Sequence, residues 1–363
     1  MTEPDPTSLA AGERLRRSFP ADDVAWALSQ VSLRRQGAAK LERAADMLFT
    51  RAGLEQATRT PVARWRAARL AAAGVTEVWD LGCGIGADAM AFAAAGLRVV
   101  GVEADEATAE IARHNLSLVG GGDVRVGYAE DAEVPAGAAV FLDPARRTGR
   151  GRTWNVADFT PPWEFVTAQL ASDRFVAVKL GPGVPRELIP GGVEACWVSE
   201  SGDTVEACLW NAVGAGTRAV VLPAGVELTT PAVPRTLDVR PVGEFLLEPD
   251  GAVIRAGLLA EIAPEADLWL LDAHTAYLGA DRPIATPYAT CFGVREVLDY
   301  DVRVLRTWVR ERRIGTLEIK KRGLDVDPAQ LRASLKPKGP GAATLILART
   351  LDGARAIVAE RLR

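Results

Sequence analysis

The sequence predicts an α/β protein: an open, mainly parallel sheet with helices on both faces, a helical extension before it and a basic α+β module after it. Three observations predict this. Residues 74–214 read as repeated strand-helix units. Within them, Val78-Trp79-Asp80-Leu81-Gly82-Cys83-Gly84-Ile85-Gly86 reads as a short apolar strand ending in an acid and a glycine-rich turn. Last, residues 302–363 carry 15 Lys+Arg against 6 Asp+Glu, whereas residues 1–301 carry 28 against 41.

The extension comes first. Residues 21–31, 36–48 and 61–73 place apolar residues at helical spacing and contain few strand formers. Pro61 suits a first helical turn. Residues 1–73 therefore form a helical extension with 12 basic and 8 acidic residues. Strands follow at 77–81, 97–102, 124–128, 138–142 and 175–180, with a helix over 106–118 stopped by Gly120-Gly121-Gly122. Residues 194–198 and 205–210 flank Ser201-Gly202-Asp203 and read as a hairpin. Residues 215–290 form a connecting α/β region with strands at 218–222, 244–247 and 268–271 and a helix over 252–262. Residues 291–363 form the basic module, with strands at 292–298, 315–319 and 343–348, helices over 301–313 and 327–335, and a final helix.

Composition excludes several classes. The chain has 363 residues, 48% hydrophobic and 25% charged, as an ordinary globular protein does. Residues 1–17 show no signal-peptide pattern and no apolar run reaches membrane-spanning length, so a cytoplasmic enzyme is expected. Cys83, Cys196, Cys208 and Cys291 lie far apart, and the two histidines are His114 and His274, so no metal is expected. The net charge of −4 argues against general nucleic-acid binding, and the basic module is either a partner surface or a solvated face.

An acid before G-x-G-x-G and another, Glu103, at the tip of the second strand restrict the cofactor. Dinucleotide sites use G-x-G-x-x-G and aim a helix at a pyrophosphate. Asp80 would repel pyrophosphate and suit a cationic ligand, and Glu103 can accept from both hydroxyls of a ribose. The stretch resembles motif I of the class I S-adenosylmethionine-dependent methyltransferases, which have a Rossmann-like sheet. The resemblance implies that Asp80, Gly82, Cys83, Gly84 and Gly86 cradle the methionine end. Glu103, with Ala104 beside it, then holds the ribose, and Asp131 holds the adenine, with Glu130 as the alternative. Leu54-Glu55-Gln56-Ala57 and Val62-Ala63-Arg64-Trp65-Arg66-Ala67 resemble the extension of a methyltransferase subfamily with a THUMP-like carboxyl-terminal domain. Gln56 then lines the cofactor mouth or lies on the surface.

The fourth strand ends in Asp143-Pro144-Ala145-Arg146-Arg147, where the family presents groups to the substrate. Enzymes that methylate base amino groups carry Asp or Asn, Pro, Pro and an aromatic there. The carboxylate and a nearby carbonyl hold the amine with its lone pair toward the methyl donor. Here Ala145 replaces the second proline and Arg146 the aromatic. Asp143 and Pro144 are the catalytic candidates. Arg146 and Arg147 grip a phosphate or pair with a local acid. Trp154, in the basic loop 148–162, offers a stacking surface, and Lys179 contacts substrate or lies on the surface.

Leu317-Glu318-Ile319-Lys320-Lys321-Arg322-Gly323, with Pro328-Ala329-Gln330-Leu331-Arg332 and Ala343-Thr344-Leu345-Ile346-Leu347, resembles the THUMP-like domain. THUMP domains proper bind RNA, so Lys320, Lys321 and Arg322 are expected to recruit RNA. The core also looks like that of trimethylguanosine synthase relatives. These readings imply methylation of a base nitrogen in tRNA or rRNA. The alternatives are a methyltransferase acting on a small molecule or protein, and a non-catalytic RNA-binding protein on the same scaffold.

Overall fold

A computed structural model describes residues 5, 8–146 and 154–362. The chain forms two compact units, Met1–Cys196 with Glu206–Gly216, and Trp197–Val205 with Thr217–Arg363.

The first unit opens with α1 (Leu9–Arg16), α2 (Ala21–Gly37), α3 (Arg51–Gln56) and α4 (Thr60–Ala72). The helix expected over 36–48 does not form, because residues 38–50 are turns and extended chain. Side-chain amides meet their backbone needs instead. Gln30 receives the Phe49 N–H at 2.9 Å and donates to its carbonyl at 2.8 Å. Asn115 does the same for Leu48 at 2.8 and 3.0 Å. Leu41, Ala44, Met47 and Phe49 are buried, so the segment packs well without helical bonds.

The sheet is built from β1 (Glu77–Leu81), β2 (Arg98–Glu103), β3 (Asp123–Val126), β4 (Ala139–Leu142), β7 (Val176–Leu180), β8 (Glu194–Glu200) and β9 (Asp203–Trp210), in the order β8-β9-β7-β4-β1-β2-β3. Parallel pairing joins β1 to β2 and β4, β2 to β3, and β4 to β7, while β9 runs antiparallel to β7. Helices α5 (Ala87–Ala94), α6 (Glu106–Ser117) and α7 (Trp163–Leu170) are the crossovers. A short ladder pairs β5 (Ala145–Arg146) with β6 (Phe159–Thr160). The central strands β1 and β4 are almost wholly buried, β4 as a continuous apolar run and β1 with Asp80 carried inside. Asp105 caps α6 by accepting the Thr108 N–H at 2.8 Å.

In the second unit, Ser201 and Gly202 make the hairpin turn with φ of 54° and 90°. Strands β10 (Gly216–Leu222) and β11 (Val226–Thr229) pair antiparallel. A seven-stranded sheet follows, made of β12 (Phe245–Pro249), β13 (Trp269–Asp272), β14 (Thr275–Ala280), β15 (Ala289–Asp299), β16 (Ile314–Arg322), β17 (Gly341–Thr350) and β18 (Gly353–Arg361), ordered β13-β14-β12-β15-β18-β17-β16. It curls so that β13 and β14 approach β17. Helix α8 (Gly251–Ala256) stops at Gly257, whose φ of 75° ends it well short of the expected 262. Helices α9 (Val302–Glu311) and α10 (Pro328–Leu335) cover the outer face.

The expected final helix is instead the strand β18. Asp352-Gly353, with Gly353 at φ 99°, turns the chain back along β17, and Ile357-Val358 favour the pleat. Alternation separates two cores. Leu345, Leu347, Ala356 and Val358 face α9 and α10, while Ile346, Ala348, Ile357 and Ala359 face inward with Trp269, Tyr277 and Phe292.

Candidate active site

Strand β1 delivers a turn in which Gly82, Gly84 and Gly86 have φ of 95°, 54° and 81°, a region that only glycine enters without strain. The Gly82 and Cys83 N–H groups both donate to the Val102 carbonyl, at 2.8 and 3.0 Å, which locks the turn to β2. Space is open where a Cβ would stand on Gly82 and Gly84. Gly86 differs: it packs on Leu116 and Ala112 and lets α5 approach α6.

Glu103 ends β2 and bridges the turn to the next helix. One of its oxygens accepts the Gly84 N–H and the other the Asp105 N–H, each at 3.0 Å. A cavity of about 310 Å³ opens here, walled by Gly82, Cys83, Gly84, Glu103 and Ala104. That volume lies at the lower end of the ~300–1,000 Å³ range of small-molecule sites. Tyr128, Ala129 and Glu130 wall its far side. Asp131 is exposed and not part of the wall, so of the two acids expected near adenine only Glu130 borders the cavity.

The amino-terminal extension supplies another wall, which sequence reading saw only as Gln56. Gly53, Gln56, Ala57 and Thr58 all border the cavity. A Cβ on Gly53 would lie 2.3 Å from the Ile85 side chain, so only glycine lets α3 come this close to the turn. Lys40 donates to the last carbonyls of α3, Leu54 at 3.0 Å and Glu55 at 2.9 Å, which lack helical partners. Burial, and then the Lys179 and Arg59 charges, lower the Lys40 pKa.

Asp143 follows β4 and reaches the same cavity. Lys179, on β7, donates to its carboxylate at 2.5 Å and to the Gln56 carbonyl at 3.4 Å. Burial works against the Lys179 charge, but Asp143, Asp88 and Glu206 outweigh it and hold its pKa above the usual lysine value. Ala145 also borders the cavity, whereas Pro144 is buried and outside the wall. Trp154 stacks at a tilt on Phe159, 5.9 Å between centroids, and Phe159 continues to Trp163 at 5.3 Å. The Arg146 side chain and Arg147 lie outside the described residues.

Asp80 stands back from the cavity. Its carboxyl is buried, forms no part of the cavity wall, and has no hydrogen-bond partner on either oxygen among the described residues. Burial, then the Asp88 and Asp143 carboxylates, push its pKa well above the usual carboxylate value, against Arg66 and Lys179. A folded pKa raised above the unfolded one adds stability that is fully present below the unfolded value and is lost as pH rises through the folded one. Asp80→Asn removes this titration. Wild-type stability should therefore fall relative to the variant above about pH 4, by up to ~1.4 kcal/mol per pH unit, in urea unfolding at several pH values. Parallel curves would show that Asp80 is already charged in the fold.

Beside Asp80 lies an ion cluster that sequence reading missed. Arg66 is fully buried, pairs with both Asp88 and Glu206, and sits 4.7 Å from the centroid of the Phe141 ring. Thr58 donates to Asp88 at 2.5 Å, and Asp88 borders the cavity. Cys83 is buried and burial raises its pKa, as suits a small packing residue in close approach to Gly101.

In the second unit, strand alternation divides the basic trio. Lys321 is exposed. Lys320 and Arg322 point to the inner face, over Phe292 and Tyr277. Among the described residues no His, Cys, Asp and Glu group is placed to hold a metal, and no helix is long and apolar enough to cross a membrane.

Known proteins resemble this chain in sequence and fold. Residues 289–361 match the family described as THUMP domain-like. Over 349 residues the chain is 35% identical to an uncharacterized S-adenosylmethionine-dependent methyltransferase found in two strains of Mycobacterium tuberculosis, covering 90% of this chain and 93% of the relative. The solved structure of a putative methyltransferase from Porphyromonas gingivalis has the same fold, with a TM-score of 0.78 over 98% of this chain and 95% of that one at 20% identity. With a relative this similar along nearly all its length, and with the class I sheet, the chain belongs to the S-adenosylmethionine-dependent methyltransferases and carries a THUMP-like domain at residues 289–361.

Proposed function

We propose that the protein methylates a base nitrogen in RNA. The observation that carries this reading is the Asp143 carboxylate, held by Lys179 in the wall of the cavity that the glycine turn and Glu103 also line. The THUMP-like domain and the basic charge of residues 302–363 support an RNA acceptor.

The residues fit the cofactor. Where a Cβ would stand on Gly82 and Gly84 there is open space, so the turn admits the methionine end against bare backbone. Each Glu103 oxygen accepts one backbone N–H, which orients the carboxylate and leaves lone pairs for the ribose hydroxyls. Tyr128, Ala129 and Glu130 take the adenine side, and Gln56 borders the opening. Bound there, the cofactor supplies an electrophilic methyl group.

Asp143 accepts hydrogen bonds from the target amine and turns its lone pair toward that methyl group. Lys179 fixes the rotamer of Asp143, and the Gln56 carbonyl in turn fixes Lys179. Lys321, and Lys320 and Arg322 on the other face, attract the polynucleotide.

Two measurements test the reading. Labelled S-adenosylmethionine should transfer its methyl group into RNA from a strain lacking the protein, and digestion then names the base. No label in RNA, with cofactor bound, transfers the assignment to a protein or small-molecule acceptor. Glu103→Ala should weaken cofactor binding about 10- to 100-fold, since it removes hydrogen bonds to a charged group. An unchanged Kd by calorimetry would show that Glu103 does not hold the ribose.

A further inference from the structure

We propose that the second unit contains a phosphate site, separate from the methyl-transfer cavity, that takes a phosphate of the polynucleotide substrate. The proposal rests on the RNA reading above. A cavity of about 350 Å³ opens on the inner face of the curled sheet, walled by Glu248, Asp250, Thr290, Lys320, Arg322 and Arg361 among others. The family match covers Thr290, Lys320, Arg322 and Arg361, whereas Glu248 and Asp250 come from before it.

The carboxylates in this wall are already engaged. Glu248 accepts from Lys320 at 2.6 Å and from the Tyr277 hydroxyl at 3.5 Å. Asp250 accepts the Ala252 N–H at 2.8 Å as the cap of α8. Glu318, outside the wall and half exposed, stands 3.9 Å from Lys320 and 4.0 Å from Arg361. Within the wall, three cations face two carboxylates.

The arginines are also preset. Arg322 lies over the Tyr277 ring at 5.3 Å and donates to the Pro249 and Ala276 carbonyls at 3.2 and 3.5 Å. Arg361 lies over the Phe292 ring at 5.2 Å, and one of its nitrogens is 3.5 Å from the Thr290 hydroxyl. Guanidinium groups held in place lose less entropy on binding, and their forks fit phosphate oxygens. A lone phosphate would fill only part of the space, which leaves room for the attached sugar. The same rings are covered by the cations, so the site favours a phosphate over a stacked base.

The test uses the full chain, a short single-stranded RNA with hydroxyl ends, the same RNA with a 5′-phosphate, and inorganic phosphate. Arg322→Gln with Arg361→Gln should raise the RNA Kd about tenfold in fluorescence anisotropy. It should also reduce the slope of log Kd against log salt by about 0.7, the loss of one phosphate contact on a single strand. Equal binding of the two RNAs assigns an internal phosphodiester to the site, and a preference for the phosphorylated RNA assigns a chain end. Arg361→Gln alone, at a half-exposed side chain, should show the same direction and guards against a folding defect. If RNA is methylated and the double variant binds it with unchanged Kd and slope, the phosphate site is wrong and the RNA reading stands. If RNA is neither bound nor methylated, but inorganic phosphate shifts the amide resonances of Thr290 and Arg322, the RNA reading is wrong and the anion site stands.

Discussion

Asp143→Ala is expected to lower the rate of methyl transfer by about 10²- to 10³-fold, the usual cost of losing a group that orients the reacting atoms. Cofactor affinity should hardly change, because Glu103 and the glycine turn do not depend on Asp143. The effect should therefore appear in kcat rather than in the cofactor KM. Asp143→Asn keeps an acceptor oxygen and should recover part of the rate. In the asparagine variant Lys179 loses the strongest influence that raises its pKa but still has an oxygen to hold, so burial should pull the pKa down and give the rate a new dependence on alkaline pH. A variant within threefold of wild type would remove Asp143 from the mechanism.

The second large effect concerns stability. Arg66→Met should cost ~3–5 kcal/mol, since it leaves two carboxylates buried without their counter-charge. Replacing Arg66, Asp88 and Glu206 together with apolar residues of similar volume should restore most of this. The pH dependence has a definite sign. Burial already raises the Glu206 pKa, and Arg66 acts to lower it. Without Arg66 the folded value rises further. The deficit of the variant should then be smallest at low pH, near 4.5 and below, where Glu206 is protonated in both folded proteins, and grow toward pH 8 as the wild-type carboxyl ionises against Arg66. Urea unfolding at the two pH values measures the difference. An equal deficit at both would mean that the cost is packing rather than charge.

The sheet and the cofactor turn were legible because each rests on a local signal. Three alternate glycines after an apolar strand, and an acid at the next strand tip, read directly as the geometry found at Gly82–Gly86 and Glu103. Other parts were less legible because distant residues decide them. Nothing local says that residues 38–50 exchange helical bonds for the amides of Gln30 and Asn115. Asp88 follows the glycine turn and Glu206 falls on an expected strand, and only the fold brings both to Arg66. One signal was available and overlooked: at helical spacing Arg66 falls on the same face as Val62, Ala63 and Leu70, and an arginine on an apolar face calls for buried counter-charges. The final helix failed on Asp352-Gly353, a hairpin turn that outweighed the alanines after it.

The span of the Arg66 cluster also orders events during synthesis. Glu206 lies 140 residues after Arg66. While the ribosome is still making that interval, only Asp88 can pair with the guanidinium, and the nitrogen that later donates to Glu206 has no acceptor there. A buried guanidinium nitrogen without an acceptor costs ~1–3 kcal/mol, so full docking of α4 is expected only once β9 supplies Glu206.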